Sequence, residues 1–130
     1  MTENNINISV VDDEISIREM LGVFLKIKGY TVQMYGDGSE ALASDTFFES
    51  QIVISDLNMP EVDGLTLLKK VKERNPEIIC LLITGMATLD STITALRAGV
   101  DDYILKPFEL KDIEMIILKH ISRFKLVEEN

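Results

Sequence analysis

Three acidic residues, a hydroxyl and a lysine stand at the ends of four short apolar runs. Ile8-Ser9-Val10-Val11 stops at Asp12-Asp13, Ile52-Val53-Ile54-Ser55 at Asp56, Cys80-Leu81-Leu82-Ile83 at Thr84-Gly85, and Tyr103-Ile104-Leu105 at Lys106-Pro107. Runs of this kind suit the strands of an open parallel α/β sheet, whose carboxyl ends share one edge where ligands bind. That edge would gather Asp12, Asp13, Asp56, Thr84 and Lys106. A carboxylate can attack phosphorus and form an acyl phosphate. Nucleophile and donor are both anionic, so the reaction needs local positive charge. Clustered carboxylates also disfavour their own ionisation unless a cation joins them. Mg²⁺, or the similar Mn²⁺, fits: it takes oxygen ligands and binds through carboxylates, phosphate and water. Together with Lys106 it would match the three carboxylates in charge and stabilise the group in transfer. Thr84 adds a hydrogen-bond donor, and Gly85 leaves room for a phosphoryl group. The chemistry indicated is metal-assisted phosphoryl transfer.

Each residue alone has a plainer use. Acids favour helix N-termini, which would account for Asp12-Asp13, and Lys106 would serve as a surface lysine. Their joint placement, each at the end of a separate strand, favours the common edge.

The elements that must position these residues alternate in type. Ile6 to Val11 reads as a first strand. Ile17, Met20, Leu21, Phe24 and Leu25 then recur at helical spacing, with a capping box expected at Ser16 and Glu19 and a stop at Gly29. Thr31 to Tyr35 is a second strand, and Asp37 to Glu40 opens a short helix through Leu42. Gln51 to Ser55 is the third strand. Gly64 to Arg74 is helical with Leu67, Leu68 and Val71 inward, broken by Asn75-Pro76. Ile78 to Ile83 is the fourth strand. Leu89, Ile93 and Leu96 mark a fourth helix ended by Gly99, and Asp102 to Leu105 is the fifth strand. A last helix runs from about Leu110 towards Val127 on a stripe of Ile113, Ile116, Ile117, Ile121 and Phe124. Five strands alternating with five helices imply a parallel sheet wound on both faces.

Composition removes other classes of function. The 130 residues suffice for one domain, expected to be a single unit over 1–130 with its core at about 6–125 and a linker beginning at 126–130. A net charge of −9 repels nucleic acid and anionic membrane. The longest apolar run, Ile78 to Ile83, is too short to span a bilayer. Met1 to Asn5 lacks the basic and apolar regions of a secretory signal. One cysteine excludes an internal disulfide and a multi-cysteine metal site. A cytoplasmic protein is expected. His120 falls on the apolar stripe of the last helix and reads as packed, and Cys80 as core.

The chain resembles the receiver domain of bacterial two-component response regulators, of the chemotaxis-regulator type. The resemblance rests on Val10-Val11-Asp12-Asp13-Glu14, Ser55-Asp56-Leu57-Asn58-Met59-Pro60 with Asp63-Gly64, Thr84-Gly85, Ala98-Gly99, and Asp102-Tyr103-Ile104-Leu105-Lys106-Pro107-Phe108. It implies a flavodoxin-like α/β fold with strand order 2-1-3-4-5. By resemblance, Asp56 is the phosphoacceptor. Asp13, Asp56 and the backbone carbonyl of Asn58 bind Mg²⁺ directly, and Asp12 acts largely through water. Thr84 and Lys106 hold the phosphoryl oxygens, and the Lys106-Pro107 bond is cis. The donor is a phosphohistidine on a sensor histidine kinase or phosphotransfer protein. Phosphorylation draws Thr84 inward, and Tyr103 rotates into the space. The surface of the fourth helix, fifth strand and fifth helix then addresses an effector domain, a partner protein or a second copy of the chain. Apolar Met115, Leu118 and Leu126 off the main stripe support that contact. Asn58 and Met86 border the pocket mouth and set the rate of hydrolysis. Met86 cannot orient water, so slow loss of the phosphoryl group is expected.

The resemblance implies no enzyme beyond the chain's own phosphorylation and dephosphorylation. A phosphatase of the haloacid dehalogenase type also uses a strand-end aspartate with Mg²⁺, but needs a second aspartate two positions on, where this chain has Asn58. A nucleotide- or flavin-binding domain would carry a glycine-rich loop after the first strand, where this chain has Asp12-Asp13.

Overall fold

The computed structural model describes residues 6–85 and 88–129, with side chains throughout that span except at 89 and 123–129. The strands are β1 (Asn7–Val11), β2 (Thr31–Tyr35), β3 (Ile52–Asp56), β4 (Ile79–Thr84) and β5 (Asp102–Leu105). The helices are α1 (Ile15–Ile27), α2 (Gly38–Leu42), α3 (Gly64–Arg74), α4 (Leu89–Arg97) and α5 (Leu110–Glu129), with a 3-10 helix at Asp45–Glu49. The strands form one parallel sheet in the order β2-β1-β3-β4-β5, as the resemblance implied.

The central strands β3 and β4 are buried at every residue, which explains why they carry no polar alternation. Their side chains still alternate between faces. Ile8, Val10, Ile52, Ile54, Leu81 and Ile83 point into one core with Leu21 and Leu25 of α1 and Ile113, Ile117 and Ile121 of α5. Val11, Val53, Cys80 and Leu82 point into the other, with Phe47, with Leu67, Leu68 and Val71 of α3, and with Ala95 of α4. From β1 the chain moves outward to β2, then returns to the other side of β1 as β3. The reversal makes the β1–β3 boundary a topological switch point, where open α/β sheets bind ligands.

Four local readings are corrected. The Ser16–Glu19 capping box does not form. The N-cap is Glu14, without a side-chain cap bond, because its own N–H is taken by Asp12 Oδ1 at 2.9 Å and the helix has already begun at Ile15. At α2 only half of the expected box is present. Asp37 accepts from the Glu40 N–H, while the Glu40 carboxylate reaches past Asp37 to the Gly36 N–H. In α4, Ile93 and Leu96 are exposed. The helix turns the small Ala95 inward instead, so the apolar spacing marked the helix but not its buried face. The 3-10 helix was not legible, since its Asp-Thr-Phe-Phe-Glu run lacks a helical period. Met86, and the side chains of Phe124 and Leu126, lie outside the described residues.

Glycine is required at two kinds of place here. Gly29 and Gly99 take positive φ of 100° and 89° where α1 and α4 end, a region that L side chains avoid. At Gly64 the constraint is space, since a Cβ there would collide with the carbonyl oxygen of Asp56. The first residue of α3 is thereby pressed against the end of β3, an approach held by the Gly64 N–H to the Leu57 carbonyl at 2.9 Å. Gly64→Ala is expected to lower stability by about 3 kcal/mol, because the clash is with backbone that cannot rotate away. A urea titration would read this as a lower midpoint at unchanged slope.

Candidate functional site

Asp12 follows β1, Asp56 ends β3, Thr84 ends β4 and Lys106 follows β5. Asp12 is 1% and Asp56 4% exposed, and Thr84 is also buried. Asp13, next in the chain, is exposed. Asp12, Asp13 and Asp56 each offer a carboxylate oxygen within 4.8 Å of the others'. The Lys106 ammonium stands 3.2 Å from Asp56 Oδ1. It arrives there because the β4–β5 ladder continues one step past β5, with the Lys106 N–H donating to the Thr84 carbonyl at 2.9 Å. The Lys106-Pro107 peptide is cis. A side chain at Gly85 would meet only Lys106 Cβ, at 3.9 Å, so that side of the site is open. Asn58 is exposed on the loop after β3.

Burial sets the electrostatics. The Asp12 carboxyl is pushed up to about 6, chiefly because burial disfavours its charge; the Glu14 N–H opposes this, and Asp56 adds to it by repulsion. Asp56 is also raised, first by burial, which outweighs its hydrogen bond and attraction to Lys106. Lys106 is raised in turn: burial acts against its charge, but the hydrogen bond and attraction to Asp56 prevail. A cation would relieve all of this. Asp12 Oδ2 is buried and, among the described residues, has no hydrogen-bond partner, an arrangement that costs free energy unless something binds there. An orphaned carboxylate oxygen within a group of three such oxygens fits a hard divalent cation.

Two residues join the site without having been singled out for a role. Glu14 places Oε1 3.4 Å from Lys106 Nζ. The Arg18 guanidinium donates to the Asp12 carbonyl at 2.8 Å, bracing the Asp12-Asp13 peptide from the first turn of α1. Arg18 lies four residues past Glu14 and so on the same helix face; that spacing was the available signal. Tyr103 is half-buried. Its hydroxyl shares hydrogen bonds with Thr92 Oγ1 at 2.8 Å and Ser91 Oγ at 3.4 Å, which joins β5 to the start of α4.

At the opposite edge of the sheet, acids are consumed structurally. Asp101 binds Lys72 at 2.7 Å and the Cys80 N–H at 2.8 Å. Asp102 lies 2.9 Å from His120 Nε2. Burial pushes the Asp102 carboxyl up, but bonding to His120, the Tyr103 N–H and Lys119 holds it below the usual range. His120 is thus packed, and Cys80 is a core thiol pushed up to about 12 by burial.

The family model of the response regulator receiver domain matches residues 8–118. The transcriptional regulatory protein ZraR of Escherichia coli O157:H7 is 32% identical over 128 residues, covering 98% of this chain and 29% of ZraR. A response regulator receiver domain protein of Clostridium thermocellum superposes with a TM-score of 0.84 at 31% identity, covering 94% of this chain and 98% of that one. The chemotaxis protein CheY4 of Vibrio cholerae superposes with a TM-score of 0.82 at 28% identity, covering 88% and 97%. The chain spans less than half the length of the curated relatives it matches. No helix among the described residues is long and apolar enough to cross a membrane.

The elevated Asp12 carboxyl has a consequence for stability. An acid whose folded-state value is raised binds more protons folded than unfolded, so stability falls as pH rises from about 4 to 6 and stays reduced above. For Asp12, rising from 3.8 to about 6, the loss is at most about 3 kcal/mol. In metal-free buffer, Asp12→Asn should therefore be more stable than wild type at pH 7, with the difference fading towards pH 4. Denaturant titrations at the two pH values check this, and Mg²⁺ should restore the wild type selectively.

Proposed function

The chain belongs to the response regulator receiver family, and we propose that it is a phosphoacceptor switch. Asp56 receives a phosphoryl group from a phosphohistidine on a sensor histidine kinase or phosphotransfer protein, and the change is read on the face of α4, β5 and α5. One observation carries this reading: a buried aspartate at the end of the central strand β3, 3.2 Å from a lysine ammonium and grouped with two further carboxylates.

In the transfer, an Asp56 oxygen attacks phosphorus, the O–P bond forms, and the P–N bond breaks with its electron pair leaving on imidazole. Lys106 stays beside the acceptor and meets the charge arriving on the phosphoryl oxygens. Thr84, buried at the end of β4, donates its hydroxyl to another of those oxygens. Asp12, Asp13, Asp56 and the Asn58 carbonyl are the groups that would hold Mg²⁺ or Mn²⁺. When bound, the ion supplies positive charge that offsets the repulsion between acceptor and donor. The walls around Asp56 keep bulk water from the acyl phosphate, and Asn58 with Met86 governs its hydrolysis. The chain in this reading turns over no separate substrate.

Output runs through Tyr103. Inward rotation of its ring requires the hydroxyl to leave Thr92 and Ser91, freeing the first turn of α4. The face beyond is apolar, with Ile93, Leu96, Leu105, Met115 and Leu118 exposed. Such a surface suits an effector domain, a partner protein or a second copy. Longer relatives such as the transcriptional regulatory protein ZraR, of which this chain spans 29%, agree with an attached output domain.

Intact mass after incubation with acetyl phosphate and Mg²⁺ tests the acceptor. One phosphoryl adduct is expected on the wild type, absent without metal and absent from Asp56→Asn; a wild type that takes none refutes the reading. Tyr103→Phe tests the switch. It should accept phosphoryl at the wild-type rate, yet show faster amide exchange in the first turn of α4 before phosphorylation, by up to about ten-fold for one lost hydrogen bond.

A further inference from the structure

We propose that Glu14 selects among phosphodonors, disfavouring small, multiply charged ones at the mouth of the site. This rests on Asp56 being the phosphoacceptor. Among the described residues, Glu14 is the acid bordering the site whose side chain contacts Lys106 from outside. Its Oε1 lies 3.4 Å from Lys106 Nζ, which is itself 3.2 Å from Asp56 Oδ1. The Glu14 side chain is 56% exposed, against 5% for Asp56. Its backbone cannot drift, because the Glu14 N–H is bonded to Asp12 Oδ1 and its carbonyl opens α1 by accepting from the Arg18 N–H at 3.0 Å. With Lys106, Pro107, Phe108, Ile17 and Met20 it lines a groove of about 450 Å³ beside the site. Glu14 thus forms the solvent-exposed outer edge of the site beside Lys106.

The charge balance gives Glu14 its effect. Lys106 and one divalent ion would match Asp12, Asp13 and Asp56 in charge, and the Arg18 guanidinium is turned to the Asp12 carbonyl, so the exposed Glu14 carboxylate is the negative charge at the outer edge. Its repulsion acts in proportion to the donor's own charge. A single charge near a protein surface at about 8 Å through water changes an encounter by roughly two- to three-fold per unit of donor charge. Acetyl phosphate is close to a dianion at neutral pH, and phosphoramidate, with its protonated nitrogen, is close to a monoanion. Asp56 displaces acetate from the first by breaking a P–O bond, and ammonia from the second by breaking the P–N bond. The acceptor chemistry is shared, so the ratio of the two rates isolates donor charge. A phosphohistidine presented by a protein brings its own apolar and charged contacts, and escapes the penalty that a free dianion meets.

The experiment measures phosphorylation rate constants with both donors, at saturating Mg²⁺ and low ionic strength, for wild type, Glu14→Gln and Glu14→Asp. The acetyl phosphate to phosphoramidate ratio is expected to rise about two- to three-fold in Glu14→Gln, to stay at the wild-type value in Glu14→Asp, and to lose its increase at high salt. Matching melting temperatures show that the variants are folded. Loss of packing would change both rates together and leave the ratio alone. A ratio unchanged in Glu14→Gln, or changed equally in Glu14→Asp, overturns the role of Glu14 while leaving the acceptor in place. No adduct on the wild type from either donor overturns both.

Discussion

Burial of carboxylates at the boundary between β1 and β3 is the constraint on which this molecule turns. Asp12 and Asp56 are almost wholly withdrawn from solvent, with Asp13 beside them. Charges so placed oppose both their own ionisation and folding. Among the described residues, two nearby features act against this: the Glu14 N–H on Asp12 and the Lys106 ammonium on Asp56. Neither reaches Asp12 Oδ2. The rest of the fold supplies the stability to hold this arrangement, through two cores of aliphatic side chains on a sheet with buried central strands.

Positioning comes from backbone more than from side chains. Lys106 is set by the N–H that extends the β4–β5 ladder, and the loop after Asp56 by the Leu57 N–H on the Ile83 carbonyl at 2.8 Å and by the contact of Gly64 with Asp56. At the other end of the sheet, Lys72–Asp101 ties the start of β5 to α3, and His120–Asp102 ties it to α5. β5 is thus fixed firmly at its start, while its middle carries Tyr103, whose ring packs against the core on the α3 and α4 side and whose hydroxyl bonds to α4. Tyr103 therefore stands between the site and the exposed apolar face.

Much of this was legible in the sequence. The strands, and the gathering of Asp12, Asp13, Asp56 and Lys106 at one edge, follow from short apolar runs that end in charge, and the helix at Gly64 to Arg74 from its apolar spacing. Strand order came from the resemblance to receiver domains. What escaped notice depends on three dimensions. The burial face of α4 is set by the small Ala95 and not by its larger neighbours. The cap of α1 is set by a carboxylate outside the helix. Glu14 and Arg18 become parts of the site only because α1 begins immediately after Asp13 and turns its first face back towards Lys106 and the Asp12 carbonyl.

The same geometry gives the proposed switch a route from a local charge change to a remote surface. Phosphorylation at Asp56 would add charge where the protein already tolerates ionised carboxylates poorly, so the site cannot absorb it unchanged. The walls of β1 and β3 are packed on both faces and cannot yield. The open side is bounded by Gly85 and Lys106, and leads to the end of β4 and along β5. The least resisted response is therefore a movement of Thr84 and Lys106 towards the new oxygens. In the proposed switch, that movement would open space on the α4 side of the sheet, towards the half-buried Tyr103. The hydroxyl bonds lost to Thr92 and Ser91 are of the kind worth about 1 kcal/mol each. A ligand-scale interaction at Asp56 exceeds that, which is the condition for a two-state element to be biased by one group.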